Sequence, residues 1–469
     1  MVFEIALKTQ DNVPAFNMTA GYLWRGDVDT QTHSSKNFDG FIDLRQPSGS
    51  SKLLNLPLEV LSLIIDKLDL NALKSLGLTK KFFHELSKIR IQEAFEIQVT
   101  SSFAVLQAVK AYPHMVSLKV ISMIPLDLWC LYSIASLKHL ESLVISCLGL
   151  KDDVRCLTNN RKLIHLDVSD SQLSTAGINW LVSELNLQKL NLSGCKISLD
   201  SIRELSKKEY LKHLILNECI LCDADIEVLA LGAQFESLSL AFNEIGCIGA
   251  KWLAGVNSLE KLILYSNFVG DEGVCFLAKS ESLKYLDLTG NLLTRLCVAD
   301  LAKNKNLQYL NLSHNDGIGA GDLTPFEDNT NIKTLILENL SLSEKDVHAV
   351  SKMKALESLS FRSYTMSVND YLAISKSTSL KKLAIKRVNI SLEGLKKLSQ
   401  NRSLLHLDFS ESNVSIEGVK VLSLSPSLKS VNFCAACSQV QFNAFQTILA
   451  KKGITAINNN IVIGRVIPI

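Results

Sequence analysis

The chain runs to 469 residues, 47% of them hydrophobic and only 7% aromatic, with 8 prolines and a net charge of +2. So balanced a charge gives no reason to invoke nucleic acid or an anionic membrane as partner. No apolar run approaches the roughly 18 residues that suggest a membrane span. The apolar content suffices for a large core, Leu-rich and elongated rather than split among several compact domains.

Residues 1–52 lack periodicity and end in the turn-rich QPSGSSK, which reads as a linker. The opening MVFEIALKTQDNVPAF carries Glu4 and has no basic-then-apolar pattern, so no signal peptide is expected. Trp24, Phe38 and Phe41 are available to pack a small element or to serve as a short binding motif.

Residues 53–90 hold the first strong pattern, LNLPLEVLSLIIDKLDLNALKSLGLTKKFFHELS over 54–87. Pro57 suits the first turn of a helix, where its missing N–H has no partner to lose. Val60, Leu61, Ile64, Ile65 and Leu68 then form one stripe at helical spacing. A second short helix is expected through Ala72, Leu73, Leu76 and Leu78, and Thr79 could cap a third holding Phe82, Phe83 and Leu86. The Leu56-Pro57-x-Glu59-Val60 start, the Ile64-Ile65-x-x-Leu68 stretch and the Lys80-Lys81-Phe82-Phe83 close resemble the F-box. The usual Val-Cys before the basic pair is Leu78-Thr79 here, and no tryptophan follows. The resemblance implies docking on the Skp-family adaptor subunit of an SCF (Skp–cullin–F-box) ubiquitin ligase, with Leu56, Pro57, Glu59, Val60, Ile64, Ile65 and Leu68 as the adaptor-binding set. The alternative is a simple cap, since any solenoid must close its first coil and Leu-rich helices do so. Residues 91–114, with Phe95, Ile97, Phe103, Leu106 and Val109 at partly helical spacing, are expected to join these helices to the repeats that begin at Met115.

From Met115 to Leu428 one pattern recurs fourteen times: apolar, two of anything, Leu (Val431 in the last unit), one residue, and a second apolar position. Ten of the thirteen intervals are 24 residues and the others 25, 23 and 25. A period this constant means that each unit stacks on its neighbours and none buries its apolar face alone. In the unit at 259–282, Leu259, Leu262 and Leu264 alternate inward as a short strand while Ile263 and Tyr265 point out. Asn267 sits at the turn, and Gly273, Val274, Leu277 and Ala278 fit a short packed helix. This resembles the leucine-rich repeat. The turn positions form a column, Cys195, Cys219, Asn243, Asn267, Asn291 and Asn315, which decays to Leu340, Tyr364, Val388, Ser412 and Ala436, so the later coils are expected to be less regular. The fold class is therefore α/β: a leucine-rich-repeat solenoid, a horseshoe of about 14 repeats over 115–452, preceded by a small three-helix F-box-like domain.

The segments 245–254 (IGCIGAKWLA) and 270–278 (GDEGVCFLA) resemble the GALA subtype of the repeat. GALA repeats joined to an F-box resemble bacterial effectors delivered into host cells, whereas an F-box with other leucine-rich repeats resembles native eukaryotic substrate receptors. The location implied is the cytoplasm or nucleus of a eukaryotic cell, reached by secretion if the chain is an effector. A plain binding scaffold or inhibitor, without a ligase, is the remaining class.

Residues between the buried leucines of each strand are expected to line the concave face. There His213, Phe242, Tyr265, Tyr285 and Tyr309 give an aromatic group. Farther on Arg362, Lys382, Lys386 and Arg387 give a basic one, with Glu338 and Glu411 at its margins. These nine residues are the candidate target-binding set. No cofactor is expected. The 11 cysteines read as small packing groups, and the Cys219/Cys222 and Cys434/Cys437 pairs lack further ligands at short range. His165, His213, His314 and His406 lie coils apart, so no catalytic group is expected. Within the C-terminal tail 453–469, the stretch NNNIVIGRVIPI over 458–469 is apolar enough for a last capping strand or an export signal.

Overall fold

The computed structural model describes residues 102–458 apart from 112, 123–124, 148–149, 233, 363–365 and 435–436, together with the short strands at 22–24, 41–43 and 98–99. The adaptor-docking set, Leu56, Pro57, Glu59, Val60, Ile64, Ile65 and Leu68, lies outside the described residues. No helix among those described is long and apolar enough to cross a membrane.

Two units are distinguished. In the first, Met1–Ser171, β1 (Tyr22–Trp24) and β2 (Phe41–Asp43) pair antiparallel. Four more strands, β3 (Gln98–Val99), β4 (Ser117–Ser122), β5 (Ser142–Cys147) and β6 (His165–Asp167), run parallel in chain order. Helices α1 (Ser102–Ala111) and α2 (Leu128–Ala135) and the 3-10 helix Asp152–Asn159 connect them.

The second unit, Gln172–Ile469, repeats strand, turn and helix. Its parallel strands are β7 (Lys189–Asn191), β8 (His213–Ile215), β9 (Ser237–Ser239), β10 (Lys261–Ile263), β11 (Tyr285–Asp287), β12 (Tyr309–Asn311), β13 (Thr334–Leu337), β14 (Ser358–Arg362), β15 (Lys382–Lys386), β16 (His406–Asp408), β17 (Ser430–Asn432) and β18 (Thr455–Ile457). The repeat length is also the register: Leu262 stands opposite Leu238 on one side and Leu286 on the other. The single 25-residue step of this unit, Leu310 to Leu335, keeps the register because its extra residue is absorbed beyond the strand. That coil replaces the α-helix with the 3-10 helix Thr324–Asp328, where Pro325 removes an N–H.

The core is a column of leucines, Leu190, Leu214, Leu238, Leu262, Leu286 and Leu310, each buried with its neighbour from the next coil. The turn after the strand is built from two adjacent positions. One residue takes the left-handed conformation coil after coil, at Gly194, Glu218, Phe242, Ser266, Gly290, His314, Asn339, Arg387 and Glu411. The next residue turns inward. Asn267 Nδ2 donates to Leu264 O at 3.0 Å in its own coil and to Leu240 O at 2.9 Å in the preceding one, while its Oδ1 accepts from Ile245 N at 3.0 Å. Asn243, Asn291 and Asn315 repeat this arrangement. Buried backbone groups that have no helix or sheet partner are thereby satisfied.

A second asparagine column closes the other end of the helices. Asn304 Nδ2 donates to Ala278 O at 2.8 Å and its Oδ1 accepts from Leu307 N at 2.8 Å. Asn329 and Asn401 do the same in their coils. At the helix starts, serine Oγ atoms accept from a backbone N–H three residues on: Ser174 from Gly177, Ser198 from Ser201, Ser391 from Gly394 and Ser415 from Gly418. The glycines at that third position let neighbouring helices approach. A Cβ on Gly394 would lie 2.5–2.8 Å from the ring of Tyr371, which is fully buried on the helix before it. Asp346 and Asp370 occupy the same position in other coils and close capping boxes with Ser343 and Ser367.

The expected loss of regularity after Asn315 takes a specific form. Every strand stays in register, but β13 has four residues and β14 and β15 five each, against three in β7 to β12. In the first unit β4 and β5 reach six residues each.

Candidate binding face

The strand face of the second unit carries three rows of side chains, one from each outward position of every strand. Tyr285 and Tyr309 occupy the first row on adjacent strands, where parallel pairing sets them side by side. Their rings stack with centroids 3.8 Å apart and planes at 7°. Lys261, one strand earlier in that row, places its Nζ 4.7 Å from the Tyr285 centroid. On the third row Tyr265 meets Phe242 in an edge-to-face contact, with centroids at 4.6 Å and planes at 67°. Phe242 is on the left-handed turn, not on the strand, with φ +56°.

These side chains dry the surface beneath them. Ile263 points outward, yet it is only 5% exposed, set between Ser239 and Asp287 in the register. Burial pushes the phenols of Tyr285 and Tyr309 above their ordinary range and the Lys261 ammonium below its own. Burial also raises the Asp287 carboxyl, against the hydrogen bonds it accepts from Thr289 and Asn311. Phenols held neutral in a rigid stack offer area and hydrogen bonding, the properties of an interface anchor. His213 stands apart from this group, exposed, between Lys189 and Ser237 on its row.

The four basic residues do not form a uniform patch. Glu338 and Glu411 lie within the group and not at its margins. Lys386 Nζ pairs with Glu338 Oε1, which also accepts from Ser360 Oγ at 2.9 Å. Glu411 Oε2 receives Arg387 Nε and, at 3.4 Å, Arg362, whose other terminal nitrogen donates to Asn339 Oδ1 at 3.1 Å. Three cations and two carboxylates leave one net positive charge. Lys382 sits on the first row, exposed, between Ser358 and His406. Burial, and then Lys382 and Lys429, hold the His406 imidazole below its ordinary pKa.

The structure adds residues that strand phase alone does not select. Ile220, Phe268 and Leu292 follow directly after the turn positions Cys219, Asn267 and Asn291 and are 75%, 59% and 70% exposed. Ile220 and Leu292 are also left-handed, at φ +58° and +59°. The recurrence of an apolar residue one place beyond the turn column is a signal present in the sequence. Cys195 and Cys219 are packed at these turns: Cys219 Sγ lies 3.3 Å from Leu192 O, and burial raises its thiol to about 12, whereas Cys222 is exposed. Among the described residues no three His, Cys, Asp or Glu side chains are grouped to hold a metal ion.

A solenoid of short parallel strands and helices, with its turns closed by asparagine and one strand face carrying aromatic and ion-paired side chains, defines a binding scaffold. Its repeats are leucine-rich repeats: residues 186–207 match the model described as Leucine Rich Repeat, and residues 303–326 a second of the same description. No curated protein matches the chain. Among solved structures, an internalin from Listeria monocytogenes is 21% identical over 76% of this chain and 92% of its own, with a TM-score of 0.45. A leucine-rich-repeat protein from Leptospira interrogans is likewise 21% identical, over 74% of this chain and 91% of its own, with a TM-score of 0.44. The ectodomain of a membrane receptor kinase from Arabidopsis thaliana, solved in complex with Casparian strip integrity factor 2, is 18% identical with a TM-score of 0.38. It aligns over 74% of this chain, which spans only 45% of that structure.

Proposed function

We propose that the chain is the substrate-recognition subunit of an SCF-type ubiquitin ligase. In this reading Leu56, Pro57, Glu59, Val60, Ile64, Ile65 and Leu68 dock on the Skp-family adaptor, and the strand face around Tyr285 and Tyr309 holds a protein target. The sequence from Leu56 to Phe83, set before a binding solenoid, carries the reading. A receptor of this kind needs no catalytic residue. It raises the local concentration of target lysines beside the ligase's charged transfer enzyme. The resemblance of 245–254 and 270–278 to GALA repeats favours a bacterial effector acting in the cytoplasm or nucleus of a host cell.

The test is capture of the purified adaptor by the intact chain beside a Leu56→Ala, Pro57→Ala variant of unchanged circular dichroism. Binding by the intact chain and its loss in the variant support the receptor. Absence of binding by the intact chain removes the ligase and leaves a leucine-rich-repeat scaffold or inhibitor. That second reading draws on the same aromatic face, which serves a protein partner with or without a ligase.

A further inference from the structure

One edge of the second unit carries apolar side chains that the repeat does not require. The residue after each turn position forms a column, Lys196, Ile220, Glu244, Phe268, Leu292 and Asp316, one from each successive coil. All six are exposed. Lys196, Glu244 and Asp316 show that a charged side chain suits this place, so Ile220, Phe268 and Leu292 are not there to fill a core. Ile220 and Leu292 also hold left-handed backbone, at φ +58° and +59°, a region that a β-branched residue such as Ile220 rarely enters. The coil between Ile220 and Phe268 adds Phe242, two residues before Glu244 and half-buried against Tyr265. Backbone bonds hold the column at coil spacing, since Glu244 N donates to Leu221 O and Phe268 N to Ile245 O, each at 2.8 Å.

The charges on this edge are mostly of one sign. Glu218 at the turn, Glu244 and Asp316 are all exposed, and among the described residues no cation pairs with any of them. Lys196 ends the column on one side, and Arg295 stands three residues beyond Leu292. Uncompensated carboxylates beside exposed apolar groups complement an occupant that is both basic and apolar. The coils set its spacing. Parallel strands lie about 4.8 Å apart, so the four steps from Ile220 to Asp316 span roughly 19 Å. An α-helix returns to one face about every 5.4 Å, so four turns cover about 22 Å and bring one side chain to each coil. An extended strand shows a side chain to one face only about every 6.7 Å, which leaves coils unserved.

We propose that this edge docks a basic amphipathic helix of a partner protein. Along that helix the facing residues, three or four apart, read apolar, basic, apolar, apolar, basic. They meet Ile220, Glu244, Phe268, Leu292 and Asp316 in turn. The site is independent of any adaptor at the N-terminal segment, so it goes beyond the ligase reading.

The test uses the full chain and two labelled synthetic helices, followed by fluorescence anisotropy at low salt. One helix carries Leu at the three apolar facing positions and Lys at the two basic ones. The other has Glu in place of each of those Lys. The Lys helix should bind at least about tenfold tighter than the Glu helix, by a margin that narrows at high salt. An Ile220→Ser, Phe268→Ser, Leu292→Ser variant of unchanged circular dichroism should bind the Lys helix at least about tenfold more weakly. A Glu244→Lys, Asp316→Lys variant should reverse the preference between the two helices. Equal binding of both helices overturns the proposal, and so does no binding of either, or binding that the triple substitution leaves intact. So does a dimer of the intact chain that the triple substitution dissolves, because a second copy is then the occupant. Adaptor capture is measured separately: its failure removes the ligase reading and leaves this site standing.

Discussion

The coils from Cys219 to Asn315 and those from Ile332 to Val388 solve one problem in two ways. Both must satisfy backbone groups buried at the turn after each strand. In the earlier group a side-chain amide does it, each asparagine bonding its own coil and the one before. In the later group the turn position holds Leu340 or Val388, and the strands lengthen, β14 and β15 pairing over five residues. In these coils strand ladder and amide column are alternative partners for the same peptide groups, whereas β16, with Ser412 at its turn, keeps three residues and its Asp408 side chain accepts from Ser410 N instead. The outward face changes with them, from stacked aromatic rings to interleaved ion pairs.

The comparison breaks most visibly at Asn315. Its side chain is fully buried and accepts from Asn291 N at 2.8 Å and Leu293 N at 3.1 Å, so Asn315→Ala strands two donors. A loss of about 3 kcal/mol is expected in urea unfolding. Ser412→Ala, at the same turn position in a later coil, removes one bond to Val388 N and one to Ile385 O, and should cost about 1 kcal/mol. Equal losses would show that the two coil groups depend on the turn side chain alike.

Helix approach gives a smaller effect that sharpens the contrast between neighbouring coils. Gly394→Ala drives a methyl into the immobile Tyr371 ring and should lower the unfolding midpoint by the equivalent of about 1–3 kcal/mol. Gly418→Ala meets the tip of the Leu395 side chain rather than a ring, with Ser415 Oγ and Val414 Cγ1 at 3.4 and 3.6 Å, and the better helix propensity of alanine should leave it less destabilising than Gly394→Ala. The smallest effect is a slope. With its pKa lowered in the folded state, His406 resists protonation there more than in the unfolded chain. Stability from this group is complete above the ordinary imidazole value of about 6.5. It falls as pH drops from that value through the lower folded one. His406→Gln should flatten the dependence of thermal melts on pH across that window, leaving at pH 8 only the pH-independent effect of altering the 2.8 Å contact with Ser430 Oγ.

Much of this is legible in the residue pattern because it obeys one period. The inward leucines, the turn asparagines and the outward phase of Tyr265, Tyr285 and Tyr309 follow from a 24-residue repeat and the alternation of a strand. Three features do not. The left-handed turn residue has no compositional mark, being Glu, Phe, Ser, Gly, His, Asn or Arg in different coils. The second asparagine column is broken, so Asn304, Asn329 and Asn401 do not announce themselves as a series. The ion pair between Lys386 and Glu338 joins residues 48 apart, two coils, and a reading by adjacency puts the carboxylate at the edge of the group it neutralises.

The constant register also makes the strand face a ruler. Parallel strands lie about 4.8 Å apart, so each coil is one graduation. The Tyr309 strand and the Arg362 strand are separated by two steps of the register. A partner that spans both clusters must match a distance of roughly 10 Å set by counting repeats, not by any contact between them. Inserting one additional 24-residue coil between Asn315 and Ile332 would leave both clusters chemically intact and move them one graduation apart. Affinity lost by that insertion alone would reveal a partner that measures length as well as chemistry.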